Sequence, residues 1–267
     1  MLYIVGTPIG NLKEITFYAL EILNSVDYIL CEDTRTSMVL LNHYEIKKPL
    51  KSYHKFNEKG EVEKIINDLQ SGKNIALISD AGMPCISDPG NILVNECIKH
   101  DVEYTVISGA SALINAFVLS GFQPPFTFVG FLPNKKSDAK KILGEYKDYK
   151  TTLIFYVAPH DINNTISDIY SMFGDRKACV VREISKKFEE KTFINLKDNY
   201  EGVVKGEFVL IVEGNTLQQS STLTIIEELT ELINGGVDKN DAIKQVAHNR
   251  NLKKNDVYQE YLKNSKK

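Results

Sequence analysis

A chain of 267 residues, 43% apolar and 25% charged, can bury a substantial core and has the balance of an ordinary soluble globular protein. Its formal net charge of −3 excludes a globally basic nucleic-acid binder, so contact with nucleic acid would have to come from local patches. No run approaches the roughly 20 apolar residues of a membrane helix, and the opening MLYIVGTPIG reads as a strand rather than a secretory signal, so a cytoplasmic protein is expected.

Leu2 to Val5 is the first predicted strand, followed directly by GTPIGNL at Gly6 to Leu12. A dinucleotide fold carries GxGxxG here, but Pro8 and Ile9 stand where the middle glycine must admit a pyrophosphate, which removes support for NAD or FAD. Helical spacing runs from Leu12 to Leu23, a strand from Tyr28 to Cys31, and the run EDTR covers Glu32 to Arg35. A third strand is predicted at Lys51 to His54 and a helix at Glu58 to Gln70. The fourth strand, Asn74 to Ser79, leads into SDAGMPCISDPG at Ser79 to Gly90 and then a helix at Asn91 to Lys99. Gly82 and Gly90 admit backbone geometries closed to other residues, while Pro84 and Pro89 fix φ and remove two N–H donors, so this loop is stiff, bare backbone. Asp80 and Asp88 add acceptors suited to an amine or a ribose hydroxyl and unsuited to a phosphate. The fifth strand, Tyr104 to Ile107, ends in SGASA at Ser108 to Ala112, whose small residues leave room for a bulky ligand. This alternation implies a doubly wound parallel sheet covered on both faces, a domain spanning residues 1–120.

Gly121 to Pro125 reads as a hinge into a mixed α/β domain at 121–216, with strands at Phe126 to Phe131, Thr152 to Val157, Ala178 to Glu183, Lys191 to Leu196 and Phe208 to Val212. Helices are predicted at Lys135 to Tyr146 and Asp161 to Phe173, and EEKTFINL is expected beside GEFVLIV as an antiparallel neighbour. Residues 217–267 form a helical extension: Leu223 to Asn234, a break at Gly235 and Gly236, and two apolar faces marked by Ala242, Val246, Ala247 and by Val257, Tyr261, Leu262 around the polar RNLKKN. The spacing is helix-turn-helix-like, and a capping helical hairpin is the more common source of such a pattern. Residues 239–267 carry eight Lys and Arg against three Asp and Glu, a local basic excess that is either an RNA contact or a solvated end. Cys31, Cys85, Cys97 and Cys179 form no CxxC pair and no cluster with His, which argues against a zinc site and a disulfide framework.

LYIVGTPIGNL, EDTR, SYHKFNE at Ser52 to Glu58, ALISDAGMPCISDPG, SGASAL, GFLP at Gly130 to Pro133 and FYVAPH at Phe155 to His160 occur in this order. Together, over almost the whole chain, they resemble the bacterial 16S ribosomal RNA cytidine 2′-O-methyltransferase family of the tetrapyrrole methylase superfamily. The resemblance implies two α/β domains of tetrapyrrole-methylase type with S-adenosyl-L-methionine in the cleft between them, no metal, a homodimer, and a substrate in the small ribosomal subunit. It also implies 2′-O-methylation of a cytidine ribose of 16S ribosomal RNA, expected at position 1402 of the decoding centre. Position by position, it implies that Pro8, Ile9, Asp80, Ala81, Gly82, Met83, Ser111 and Ala112 line the methyl donor, with Phe155 to Val157 and Phe208 as apolar walls.

A general base for the ribose hydroxyl is sought among Glu32, Asp33 and His54, which end strands at the same sheet edge as the SDAG loop. Arg35 and His54 are the expected substrate contacts, Arg35 through a phosphate, while Asp33 before Thr34 also suits a helix cap. Two departures from the family pattern are SGASA in place of PGPSA and FYVAPHD in place of FYESPHR, which removes an acid at Val157 and a base at Asp161. The competing readings are a methyltransferase acting on a small tetrapyrrole-type molecule and a non-enzymatic RNA-binding accessory factor. The basic end and the pairs Lys135–Lys136, Lys140–Lys141 and Lys186–Lys187 favour RNA.

Overall fold

In the computed structural model, which describes residues 1–216, 223–250 and 252–264, the strands β1 (Leu2–Val5), β2 (Tyr28–Cys31), β3 (Leu50–Ser52), β4 (Ile75–Leu77) and β5 (Tyr104–Ile107) make one sheet in the order β3-β2-β4-β1-β5. Every pairing is parallel. Helices α1 (Phe17–Ser25) and α2 (Thr34–His43) bury Ala19, Leu23 and Leu41 on one face, and α3 (Glu58–Gln70) and α4 (Asn91–Lys99) bury Ile65, Leu69 and Leu93 on the other. Burial on both faces explains why β2 and β4 read as unbroken apolar runs. All five strands point the same way, so the segments after them gather at one sheet edge, where α/β folds bind ligands.

Three elements of this first half depart from their predicted bounds. The helix expected over Leu12 to Leu23 breaks into a 3₁₀ turn at Leu12–Glu14 and α1, because the extended Thr16 caps α1 by accepting the Ala19 N–H. β3 ends at Ser52 rather than His54, whose N–H turns to the Asn57 side chain. β4 stops at Leu77, and one further bond, from Ile78 N–H to Leu30 C=O, carries the chain towards Ser79.

The second sheet contains β6 (Phe126–Phe131), β7 (Thr152–Val157), β8 (Lys177–Arg182), β9 (Glu190–Asn195) and β10 (Phe208–Val212), in the order β6-β7-β10-β8-β9. β6 and β7 are parallel and the other pairs antiparallel. The expected pairing of EEKTFINL with GEFVLIV does not form: β8 lies between them. The physical reason is visible in burial, since β10 is buried at every residue and needs a neighbour on each side, while β9 alternates with solvent and suits an edge.

Helices α6 (Lys136–Tyr146) and α7 (Ile162–Phe173) cover one face of this sheet, over Leu153, Phe155 and Leu210. On the opposite face, Ile154, Val181, Val209 and Ile211 pack against Ile9 and against Leu113 and Ala116 of α5 (Ala112–Ser120). The helix that follows β5 therefore packs on the second sheet, and with Ile9 it holds the GTPIG and SGASA turns against that sheet.

The chain divides into the compact units Met1–Gly214 and Asn215–Lys267. The second is a three-helix cluster, α8 (Ile225–Asn234), α9 (Lys239–Asn249) and α10 (Lys254–Asn264), around Leu229, Ile243, Val246 and Val257. Thr224 and Glu227 form a capping box at α8, so that helix begins two residues later than its apolar pattern suggested. Within the predicted extension, residues 217–222, Asn251 of the RNLKKN turn, and 265–267 with Lys266 and Lys267 lie outside the described residues. No described helix is long and apolar enough to cross a membrane.

Candidate active site

Three loops at the carboxyl edge of the first sheet are stitched backbone to backbone. Thr7 and Gly82 exchange N–H···O=C bonds of 2.8 and 3.2 Å, and the Thr7 hydroxyl donates to the carbonyls of Ser79 and Gly82. Gly82 sits at φ +79°, open to glycine, and a Cβ there would lie 3.3 Å from Ile9. Gly6 and Gly109 touch: a Cβ on Gly109 would stand 2.7 Å from the Gly6 backbone, and one on Gly6 would stand 2.5 Å from the Met83 sulfur. No side chain fits at either position, so the loops after β1, β4 and β5 form one wall.

That wall closes one side of a cavity of about 410 Å³, within the range of small-molecule sites. Ile9, Asp80, Ala81, Gly82, Met83, Ser111 and Ala112 line it from the first half, and Phe131, Tyr156, Val157, Ile184, Glu207 and Phe208 from the second. The structure thus gathers the residues predicted around the donor with one exception, Pro8, which is buried and outside the lining. Phe155 is also displaced from its expected place. Alternation along β7 turns it into the core beneath α7 and presents Tyr156 instead.

A second, polar cavity of about 460 Å³ adjoins, lined by Glu32, Asp33, Thr34, Arg35, Ser52, His54, Lys55 and Phe56, and it shares Asp80 with the first. The Asp80 carboxylate accepts the Asp33 N–H at 3.2 Å, which ties the end of β4 to the end of β2. Asp33 itself is fully engaged. It caps α2 by accepting the Arg35 N–H at 2.8 Å and grips the Arg35 guanidinium at 3.1 and 2.6 Å, and these bonds hold its carboxyl at about 2. Glu32 lies the other way: burial, then the Asp80 charge, raises it above the usual carboxylate range. His54 accepts the Phe56 N–H on Nδ1 at 3.3 Å, which leaves the proton of the neutral ring on Nε2, a donor. Arg35 remains almost fully exposed on its outer side. Lys186, counted among the basic pairs, is held by Glu183 and Glu207 at 3.0 Å each, so its charge is spent inside the protein.

Asp88 is the most perturbed carboxyl of the cleft. Burial, reinforced by the charges of Glu32 and Asp80, pushes it up to about 7. In an unfolded chain the same group ionises near pH 4. Between about pH 4 and 7 the native state therefore holds the extra proton, and stability falls as pH rises through that window. Asp88→Asn should flatten this fall, checked by thermal midpoints measured across the window.

A family model described as Tetrapyrrole (Corrin/Porphyrin) Methylases matches residues 1–198. The ribosomal RNA small subunit methyltransferase I of Halalkalibacterium halodurans is 41% identical, with 97% of this chain and 94% of that protein aligned. The chain belongs to the ribosomal RNA small subunit methyltransferase I family, within the tetrapyrrole methylases. It is a methyltransferase. The family member of the same name from Mycoplasmopsis pulmonis is 48% identical over 79% of this chain and 96% of its own length. A solved uroporphyrin-III C-methyltransferase from Thermus thermophilus, complexed with S-adenyl homocysteine, shares the fold with a TM-score of 0.57 at 16% identity, over 79% of this chain and 96% of that one.

Several walls of this methyltransferase's cleft escaped the sequence reading. Tyr156 is not one of these: it falls within the predicted wall Phe155 to Val157, and the period-two alternation of TLIFYV makes it, rather than Phe155, the lining residue. Ile184, Gly206 and Glu207 sit on loops whose approach to the cleft is a matter of tertiary packing, and nothing in their local sequence marks it. Positive φ at Cys85 (+68°) and Ser87 (+69°), which turns the chain so that Ser87 and Asp88 line the cavity, is equally silent in the sequence.

Proposed function

We propose that the protein methylates the ribose 2′-hydroxyl of a cytidine in 16S ribosomal RNA, at position 1402, with S-adenosyl-L-methionine as donor. The observation that carries this reading is Asp80, shared by a largely apolar cleft of nucleoside dimensions and a polar one bearing Arg35 and Lys55. The names of the relatives support an RNA substrate. The donor fits the first cavity chemically: it has an apolar body with an amine and ribose hydroxyls, and the cavity has apolar walls with the Asp80 and Asp88 acceptors and the Ser111 hydroxyl.

When bound, S-adenosyl-L-methionine supplies a methyl group activated on a sulfonium. In this reading Asp80, Ala81, Gly82, Met83, Ser111, Ala112 and Ile9 hold it, and Pro8 shapes the turn from behind. Arg35 takes an RNA phosphate, His54 donates from Nε2, and Glu32 receives the proton of the ribose hydroxyl. Asp33, committed to Arg35 and the α2 cap, positions rather than transfers. Orienting the hydroxyl for attack is worth up to about 7 to 11 kcal/mol in favourable cases, and proton removal adds to it.

The test is tritiated methyl transfer to small ribosomal subunits, with recovery of label in a nuclease-resistant, 2′-O-methylated dinucleotide. Label confined to small molecules would reject the substrate, and no calorimetric heat with the donor would reject the enzyme reading. The same reading includes a cytoplasmic homodimer, checked by sedimentation equilibrium, and RNA contact by the basic segment 239–267. Deleting that segment should weaken RNA binding and reduce the slope of affinity against salt, because fewer counterions are released. An unchanged slope would make the segment a cap.

A further inference from the structure

The polar cavity carries one group that proton transfer and phosphate binding leave unused. Phe56 lines it and is 86% exposed, among Arg35, Lys55 and the carboxylates of Glu32 and Asp80. Single exposed aromatics are common on surfaces and need no explanation by themselves. This one stands on a fixed backbone. Its N–H donates to His54 Nδ1 at 3.3 Å, the His54 N–H donates to Asn57 Oδ1 at 2.8 Å, and Asn57 Nδ2 donates to the Ser52 carbonyl at 3.0 Å. The ring stands on a braced turn between β3 and α3, with the Lys55 ammonium 5.1 Å from its centre and the His54 ring edge-on at 6.0 Å.

Resting on the reading of RNA as substrate, we propose that Phe56 is the stacking platform for an unstacked RNA base next to the reacting ribose. An aromatic face flanked by cations matches a single-stranded nucleotide, which offers a π-surface and a phosphate together. An apolar protein surface seated on Phe56 would instead have to desolvate Arg35 and Lys55, as well as Glu32 and Asp80. The charges also set direction. Glu32 and Asp80 repel phosphate, and the exposed Arg35 and Lys55 attract it, so the sugar is the part of the nucleotide expected beside the carboxylates. The substrate class is accordingly a loop or strained junction in which the target nucleotide leaves its stack, not an intact duplex.

The chain contains no tryptophan, so Phe56→Trp creates a single tryptophan at the platform, excited at wavelengths where the 13 tyrosines do not absorb. Its fluorescence should be quenched by a cytidine-containing single-stranded oligoribonucleotide and by small subunits. Phe56→Ala should weaken RNA affinity about 5- to 150-fold, the range of one lost stacked base, and leave calorimetric affinity for S-adenosyl-L-methionine unchanged. Emission of Phe56→Trp unmoved by saturating RNA overturns the proposal, as does an RNA affinity of Phe56→Ala equal to that of the parent. A Phe56→Ala protein that changes its sedimentation but not its RNA affinity assigns the ring to contact between copies, which also overturns it. If the parent protein neither binds nor methylates RNA, the substrate reading fails first, and that failure is seen without any variant.

Discussion

Replacing Asp80 by alanine should lower affinity for S-adenosyl-L-methionine on the order of a hundredfold, the loss of charge-assisted hydrogen bonds to the donor, while the protein stays folded. The fold has little stake in this side chain. Asp80 is exposed at the end of β4, contributes to no core cluster, and makes one bond to the rest of the chain, accepting the Asp33 N–H. That N–H lies at the cap of α2 on an exposed edge, where water replaces the lost acceptor. What Asp80 has in its place is electrostatic discomfort. Loss of surrounding water at the cleft and the neighbouring Asp33 charge both raise its pKa, and its own charge raises those of Glu32 and Asp88. A cationic amine placed among these carboxylates relieves all of them, so donor binding should release protons near neutral pH, chiefly from Asp88. Calorimetry in buffers of different ionisation enthalpy reads that release directly. Asp80→Asn keeps an acceptor without the charge and should fall between the parent and Asp80→Ala. Full affinity in Asp80→Ala, with an unchanged thermal midpoint, would remove Asp80 from the donor site.

How much of this was legible in the sequence depends on the range of the interaction that decides each feature. Strands β1, β2, β5, β6, β7 and β10 are local: short apolar or β-branched runs between turn residues, placed correctly by pattern. The order of β8, β9 and β10 is not local, because antiparallel neighbours need not be consecutive, but the unbroken FVLIV already marked β10 as central. The SDAG loop was readable as a ligand wall because glycine and proline restrict backbone geometry wherever they occur. The contact that makes it a wall, Gly6 against Gly109, joins residues more than a hundred positions apart and appears only in three dimensions. The split between Glu32 and Asp33 shows the same limit. Adjacent carboxylates at a strand end are interchangeable on paper, and it is the Arg35 guanidinium that consumes one of them. Phe56 likewise looks like any aromatic until its exposure and the cations beside it are known.

Glu32→Gln should lower kcat about 10²- to 10⁴-fold, the usual worth of a positioned general base, with donor affinity unchanged. Glu32 ends β2 in the polar cavity, and glutamine keeps its size and hydrogen bonding while removing its ability to take a proton. Because burial and Asp80 raise Glu32, it is a stronger base than an ordinary carboxylate at the pH where RNA is modified, although His54 and Lys55 pull it partly back. The sign of the pH dependence follows. A base acts only when ionised, so kcat of the parent should rise with pH through the raised Glu32 value and then level, and Glu32→Gln should lose that acidic limb as well as the rate. Asp33 cannot stand in, since its pairing with Arg35 holds it at about 2 and makes it a weak acceptor of protons. Asp33→Asn keeps a capping acceptor for α2 but loses the charge that grips Arg35, so it should loosen Arg35 and raise KM for RNA while the acidic limb survives. The two variants separate proton removal from substrate orientation at neighbouring positions. If Glu32→Gln kept both the rate and the limb of the parent, the acceleration would rest on orientation alone, within the roughly 7 to 11 kcal/mol that a near-attack arrangement can supply.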